Sequence, residues 1–502
     1  MNKQVSNIGW ARTLVSLFFK KGIHHVCISP GSRNTPLTYA FLEHPNIKSF
    51  CHIDERSNCF FGLGISKKIQ KPVVILTTSG TATANLFPGI IEAKLSMTPL
   101  IILTADRPRR LVNTGETQTI DQINLYGKHV QSTLDIDHST STSSILLKKI
   151  NKLLEGCLIP QKNSGPIHFN IRFDEPLLDF KDKALPLPKK NTFPAVKSEK
   201  LELPKFKRPL IICGPTNQNF DMKSIIKLSK KINAPIFADI LSQMRHLSSM
   251  MVYYEHYLKK IKKPDLIIRF GNKPTSKKLN AFLENFEDRT FLINTYGRYN
   301  DDCKNISMIN YKDLSKNILT NFVGEKKWFK YIQNLEASLK MIMNKNIDIK
   351  NSQAKTIRTI IPHLKKNDSM FIGNSTIIRT LDQFSGKFSS SINIYGNYTT
   401  RGIDGITSTA LGMAYAGKKN NLLITGDVSF FYDSNAFHIL ENTNINLTIV
   451  VINNKGGQIF SRLPYSNEKI KDFETFWITP ISSKIKDLAN LFKLKYYLLK
   501  ID

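Results

Sequence analysis

Short apolar runs recur along this chain, spaced so that one helix fits between each pair. "HHVCIS", "IKSFCHI", "PVVILTT" and "PLIILTA" lie in the first part, and "PLIICGP", "APIFAD", "DLIIRFG" and "TFLINT" in the middle. "SMFIGN", "INIYGN", "NLLITGD" and "LTIVVIN" lie toward the end. Runs this short and this continuously apolar suit strands buried on both faces, the condition of a parallel sheet covered by crossover helices. Helix-like segments such as "NIGWARTLVSLFFKKG", "STIIRTLDQF" and "GITSTALGMAYAG" fill the intervals. The predicted fold class is α/β, with three doubly wound parallel-sheet domains in tandem. A length of 502 residues agrees, because single cores stop growing well short of that size.

The alternation lapses in "KDKALPLPKKNTFPAVKSEKLELPKFKRP", where prolines and charges replace any period. This divides the chain into a first domain at 1–180, a linker at 181–208, a central α/β domain at 209–350 and a last domain at 351–502. The formal charge of +31 comes from scattered lysines (Lys20, Lys67, Lys94, Lys207, Lys326, Lys418) without interleaved aromatics. That pattern reads as a solvated surface favouring anionic small molecules, with no nucleic-acid partner. Six cysteines form no CxxC pair, which fits reduced thiols in the cytoplasm. No apolar run approaches the roughly 20 residues of a membrane helix, so no membrane partner is expected. "MNKQVSNIGWARTLV" lacks a signal-peptide core, and the expected compartment is cytoplasmic.

The densest chemistry lies in "ITGDVSFFYDSNAFHILENTNINLTIVVINNKGGQIF". One strand ends in Gly426-Asp427, and the next ends in Asn453-Asn454 before Gly456-Gly457. Adjacent parallel strands open at the same carboxyl edge, so the Asp427 carboxylate and the Asn454 amide oxygen converge on one hard cation. Magnesium takes such ligands and completes its octahedron with phosphate oxygens and water. Taken alone, Asp427 reads more readily as a helix N-cap and "NNKGG" as an ordinary loop.

The spacing of Gly-Asp and of Asn454, 27 residues after Asp427, resembles the pattern of thiamine-diphosphate enzymes. The set "ISPGSRNTPL", "HIDERS", "TTSGTATANLFPGIIEA", "LTADRP", "QTIDQ", "GNSTIIRTLD", "RGIDGITSTALG" and "NNKGGQIFSRLP" resembles, more narrowly, the 2-succinyl-5-enolpyruvyl-6-hydroxy-3-cyclohexene-1-carboxylate synthases of menaquinone biosynthesis. The resemblance covers nearly the whole chain and is thinnest in the central domain. It implies a thiamine-diphosphate-binding fold, with a pyrimidine-binding first domain and a diphosphate-binding last domain. It also implies thiamine diphosphate with Mg2+ or Mn2+ as cofactors. The implied unit is a homodimer or dimer of dimers, because in such enzymes those two domains meet across a subunit boundary. The implied reaction is that of a transferase: 2-oxoglutarate is decarboxylated and the resulting succinyl-semialdehyde carbanion adds 1,4 to isochorismate.

Roles follow by motif. Glu55 matches the glutamate that hydrogen-bonds N1′ of the aminopyrimidine. The plainer reading makes Asp54 an N-cap and Glu55 a first-turn acid. Asp427, Asn454 and the Gly456 carbonyl match the cation ligands. Ile403 matches the wedge between the cofactor rings, and Ile459, Phe460 and Leu463 the apolar wall over the reacting centre. Dicarboxylate substrates need fixed donors, and the matching residues are Ser32, Arg33, Arg107, Gln118, Lys277, Lys278, Ser375 and Arg379. Glu55, Arg33, Gln118, Ser375 and Arg379 form the expected catalytic set. Ser375 and Arg379 are four apart, so a helix presents both on one face.

The chain departs from the pattern at Thr117, where asparagine is expected, and at Tyr398, where arginine is expected, with Arg401 three residues later. The family pattern also continues about one helix and one strand beyond "FKLKYYLLKID", so the C-terminus is expected to be shortened, exposing a sheet edge. Two alternatives stay open: another thiamine-diphosphate 2-oxoacid ligase or decarboxylase, and a non-catalytic reduced homologue.

Overall fold

The computed structural model describes residues 5–137, 143–158, 164–180, 183–188, 198–216, 221–296, 301–345, 353–468 and 470–499. The expected linker lies partly outside them, at 181–182 and 189–197. The first sheet contains β1 (His25–Ile28), β2 (Lys48–Cys51), β3 (Val73–Thr77), β4 (Leu100–Asp106), β5 (Thr133–Ile136) and β6 (Ile167–Arg172). Its spatial order is β2-β1-β3-β4-β6-β5, all parallel. Every residue of β3, β4 and β6 is buried, including the polar His168, Asn170 and Arg172 of β6, whereas the edge strands β2 and β5 are more open.

A short β7 (Leu201–Glu202) precedes the second sheet, built from β8 (Pro209–Cys213), β9 (Ile236–Ala238), β10 (Met250–Met251), β11 (Leu266–Phe270), β12 (Thr290–Asn294) and β13 (Asn305–Met308). These lie in the order β10-β9-β8-β11-β12-β13, and β14 (Ile318–Leu319) returns to pair with β7. The third sheet contains β15 (Ser369–Ile372), β16 (Asn393–Gly396), β17 (Asn421–Gly426) and β18 (Thr448–Ile452), ordered β16-β15-β17-β18. Its edge strand β18 is half-exposed along its length. Among the described residues no helix is long and apolar enough to cross a membrane.

Three sheets are gathered into two compact units. The first comprises Met1–Pro194, Gly402–Asn420 and Ser429–Leu447; the second holds Ala195–Arg401, Asn421–Val428 and Thr448–Asp502. Within the second unit a buried ionic network joins the middle and third sheets. Arg245 donates to Asp382, to Ser385 Oγ and to the Ala238 carbonyl, while Asp382 also accepts from Ile240 N and Tyr254 Oη. Burial holds Asp382 above the usual carboxylate range against the pull of Arg245.

Within the first unit, helix Glu55–Ile69 packs on helix Ile406–Tyr415. Gly64 lies against the Thr409 carbonyl and Gly412 against the Phe61 carbonyl, so any side chain there overlaps backbone. Small residues set this close approach, and they explain why the Glu55 helix is buried nearly throughout from Ser57 to Lys67.

Candidate active site

In the first sheet the chain passes from β1 to β2 on one side, then returns to β3 on the other side of β1. Such a reversal opens a crevice at the carboxyl ends of the two strands. The loops after β1 and β3 face each other there, with Gly31 so close to Thr78 that a Cβ overlaps its side chain. The hydroxyls of Thr77, Thr78 and Ser79 are buried without hydrogen-bond partners, which is costly unless something polar comes to them.

Glu55 begins the helix that follows β2. Asp54 caps that helix, accepting from Arg56 N at 2.9 Å and Ser57 N at 3.2 Å, so the capping reading and the motif describe neighbouring residues. Burial pushes Asp54 up, but hydrogen bonds from Asn435 and Ser57 outweigh it and hold it below the ordinary range. The half-buried Glu55 accepts from Asn85 Nδ2 at 3.2 Å through Oε2, which ties it to the short helix after β3. Behind it, Phe60, Phe61 and Leu63 are buried. Asp433, fully buried beneath the same helix pair, accepts from Ser408 N at 2.7 Å and Ser408 Oγ at 3.0 Å; burial pushes its pKa up to about 7.

Five other expected residues line loops of this first unit. Gln118, in the left-handed region at φ 58°, donates to the Ser79 carbonyl at 3.3 Å and rests on Gly80. Arg107 donates from Nε to the Thr117 carbonyl at 3.0 Å, beside Gln118. Thr117 thus contributes its carbonyl to holding Arg107. Arg33 donates to the Phe173 carbonyl at 3.1 Å and faces Glu175, while its buried Nε has no partner. Ser32 is exposed, and Ile403 is half-buried in the turn before Gly405.

The third sheet, in the second unit, has the same reversal. The chain steps from β15 to β16, then crosses to β17 on the far side of β15. Gly373 presses against Thr425, and Asn374 Nδ2 donates to the Asn397 carbonyl at 2.7 Å, so the strand ends are knitted together. Ser375 and Asp427 therefore stand at the same sheet edge, with Asn454 beyond β18.

Asp427, Asn454 and Gly456 converge. Gly456 N donates to Asp427 Oδ2 at 2.8 Å. The Asn454 amide nitrogen donates to the Gly456 carbonyl oxygen at 2.9 Å and to Asp427 Oδ1 at 3.3 Å, while its oxygen accepts from Gln353 Nε2 at 2.7 Å. Turning the amide over would bring its oxygen to the same place as the carboxylate and the carbonyl, a ligand set for a hard cation. An octahedral magnesium with bonds of about 2.1 Å has neighbouring ligand atoms about 3.0 Å apart, close to the two spacings around the Asn454 amide. The residues fit a divalent cation. Gly456 has φ 111° and lies against the Ile478 carbonyl, so its backbone orientation depends on the absent side chain.

Around this edge Arg379 donates to the Ser375 carbonyl, and Ser375 itself takes φ 65°. Burial lowers the Arg379 pKa; Arg401 and Arg462 lower it further by like charge, and Glu255 opposes them. Three guanidinium groups thus share one region of the second unit. Tyr398 is buried, and its hydroxyl oxygen accepts from Asn272 Nδ2 at 2.7 Å, spanning to the middle sheet. Lys277 and Lys278 open the helix after β11; both are exposed, with Lys278 3.4 Å from Glu255. Ile459, Phe460 and Leu463 are half-buried just beyond the Gly456 turn.

Asn85, Gln353, Asn272 and the unpartnered hydroxyls were not singled out by sequence reasoning. "TTSGTATAN" carried the signal for Asn85 and the hydroxyls, as a polar cluster at a buried strand's end. Nothing local marked Gln353 or Asn272.

Residues 10–125 match the family described as "Thiamine pyrophosphate enzyme, N-terminal TPP binding domain". Residues 173–372 match "Middle domain of thiamine pyrophosphate". A 2-succinyl-5-enolpyruvyl-6-hydroxy-3-cyclohexene-1-carboxylate synthase from Staphylococcus epidermidis is 35% identical over 96% of this chain and 89% of its own length. Proteins of the same name from Trichodesmium erythraeum and Haloarcula marismortui are 34% and 31% identical, each over 98% of this chain and 90% of their own length. The chain belongs to the 2-succinyl-5-enolpyruvyl-6-hydroxy-3-cyclohexene-1-carboxylate synthase family of thiamine-pyrophosphate enzymes.

Proposed function

We propose that this protein is a thiamine-diphosphate-dependent transferase of menaquinone biosynthesis that decarboxylates 2-oxoglutarate and joins the remaining four-carbon unit to isochorismate by 1,4-addition. The observation that carries the reading, beyond family membership, is the convergence of Asp427, Asn454 and Gly456, with the Asn454 amide 2.9 Å from the Gly456 carbonyl oxygen and 3.3 Å from Asp427 Oδ1. In this reading Asp427, Asn454 and the Gly456 carbonyl would hold Mg2+ or Mn2+ and through it the cofactor's diphosphate. Thiamine diphosphate, when bound, supplies the electron sink that decarboxylation needs.

The protein's own groups position and neutralise. Glu55, oriented by Asn85, shares a proton with N1′ of the aminopyrimidine, and the unpartnered hydroxyls after β3 give that edge further polar contacts. Ile403 would pack against the cofactor rings and hold their orientation. Ser375 and Arg379, with Arg33, Arg107 and Gln118, bind substrate carboxylates through charge-assisted hydrogen bonds. Ile459, Phe460 and Leu463 exclude water from the reacting centre. Lys277 and Lys278, both exposed, act at longer range by attracting dianionic substrates. The protein works in the cytoplasm as a homodimer or dimer of dimers, an assembly that light scattering measures.

The test is incubation with isochorismate, 2-oxoglutarate, thiamine diphosphate and magnesium, with the adduct identified by mass. The expected result is the coupled product with release of carbon dioxide from 2-oxoglutarate. Release from pyruvate but not from 2-oxoglutarate overturns the substrate assignment.

A further inference from the structure

The second unit holds a cavity of about 440 Å³. It is walled by helix Lys326–Lys345, helix Gln353–Ile360, the residues flanking β10 and the segment after helix Thr376–Phe384. None of its lining residues belongs to the candidate active site. The volume is that of a small-molecule site rather than of a packing defect, which rarely exceeds a few waters.

Its charge is unbalanced. Lys340, Arg358 and Lys387 reach the cavity from three different elements. One carboxylate, Glu336, also lines it, but that group is buried and turned to the wall, accepting from Val252 N at 2.7 Å, Tyr253 N at 3.2 Å and Tyr257 Oη at 3.0 Å. The cations meet neutral acceptors instead. Arg358 donates to the Met343 carbonyl and to Asn344 Oδ1, and Lys387 to the Ser248 carbonyl. Lys340 has no hydrogen bond or ion pair among the described residues. Burial lowers the Lys387 pKa and the charge of Lys340 lowers it further, while Glu336 opposes both, so the two ammonium groups lie close enough to repel. Three cations against one committed carboxylate leave about two positive charges in a concave wall, a geometry that concentrates a dianion. Met251, Tyr253 and Ala337 supply apolar surface beside them.

We propose that this cavity binds a small dianion with a compact apolar body, a phosphomonoester or a dicarboxylate, at a site separate from the reaction centre. The three cations take the oxyanions through charge-assisted hydrogen bonds, and the apolar wall takes the body. The proposal does not depend on the activity assigned above, because binding is read directly.

The experiment titrates the protein, saturated with thiamine diphosphate and magnesium, with phenyl phosphate in one arm and benzene-1,2-dicarboxylate in the other, by calorimetry. One probe binds saturably with a Kd below about 1 mM, and which probe does so identifies the oxyanion source. Lys340→Gln with Arg358→Gln weakens that binding at least about tenfold, as loss of two charge-assisted contacts requires, while turnover without the probe stays at the parent level. Lys340→Arg keeps the binding. If the double variant fails to fold, Lys340→Gln alone, on an exposed helix position, provides the readout through a loss of about threefold or more. Absence of saturable binding by either probe up to about 10 mM overturns the proposal. So does binding that is unchanged in the variants, which places the probe elsewhere.

Discussion

The carboxyl edges of the first and third sheets share one topology and differ in chemistry. Each is a parallel sheet whose strand order reverses, at β1 and β3 in one and at β15 and β17 in the other. At the first, a glutamate stands beside unpartnered hydroxyls, an arrangement suited to neutral polar atoms and a shared proton. At the third, a carboxylate and a carbonyl converge on an amide, an arrangement that the amide nitrogen satisfies by donating to both and that a cation would satisfy with the amide turned over. The fold supplies a crevice in both places, and a few side chains at strand ends decide what each crevice holds.

The sharpest way to break this comparison is to exchange the losses. Asp427→Ala should weaken metal-dependent thiamine-diphosphate binding by about 100-fold or more, since it removes a direct ligand rather than a supporting contact. Glu55→Gln should leave cofactor affinity within about threefold but lower kcat by about 10² to 10⁴, the range for a proton-transfer group. Calorimetry and steady-state rates on the two variants decide it. If Glu55→Gln loses binding while Asp427→Ala keeps it, the two edges have been assigned the wrong way round.

A second contrast concerns what holds each unit together. The first relies on backbone-close helix packing at Gly64 and Gly412, the second on the buried Arg245–Asp382 network. Arg245→Met leaves Asp382 buried without its cation and should cost about 3–5 kcal/mol in urea unfolding. Asp433 makes the first unit sensitive to pH. Asp433 titrates near 7 when folded and near the ordinary aspartate value when unfolded, so its raised pKa stabilises most at low pH. That contribution is fully present below about pH 4 and is lost as pH rises through 7, by at most about 4 kcal/mol. Asp433→Asn cannot ionise, so urea midpoints of the parent should fall relative to the variant between pH 4 and 7. Parallel profiles would show that Asp433 does not titrate in this range.

How far the sequence foretold these features depends on how local their causes are. These parallel strands were legible because both-face burial leaves an unbroken apolar run at their start, as in Val73–Leu76 and Leu100–Leu103. The Asp427–Asn454–Gly456 trio was legible because its members sit at the ends of successive, adjacent strands, β17 and β18. The Glu55–Asn85 contact was not, because it joins loops whose approach depends on strand order rather than on spacing. Nor was the joining of the middle and third sheets in one unit, which rests on Arg245 meeting a partner 137 residues away. The placement of helix Ile406–Tyr415 with the first sheet escaped for another reason. Its small residues look like ordinary helix composition until Gly64 appears opposite them.

The smallest expected effect separates fixed donors from diffuse charge. Arg379 is half-buried and held against the Ser375 carbonyl, whereas Lys277 and Lys278 are exposed, the latter 66% so and 3.4 Å from Glu255. Exposed charges at such distances contribute little to a bound state but raise the local concentration of anionic substrate. Lys277→Ala with Lys278→Ala should therefore raise the KM for 2-oxoglutarate only about two- to threefold at low salt. The difference should vanish near 0.5 M salt, where screening acts over about 4 Å. Arg379→Ala should instead keep its larger defect at every ionic strength, because salt does not screen a desolvated, bidentate contact to the same degree. A lysine defect that persists in high salt would mean that these side chains touch the substrate, and would move them into the same set as Arg379.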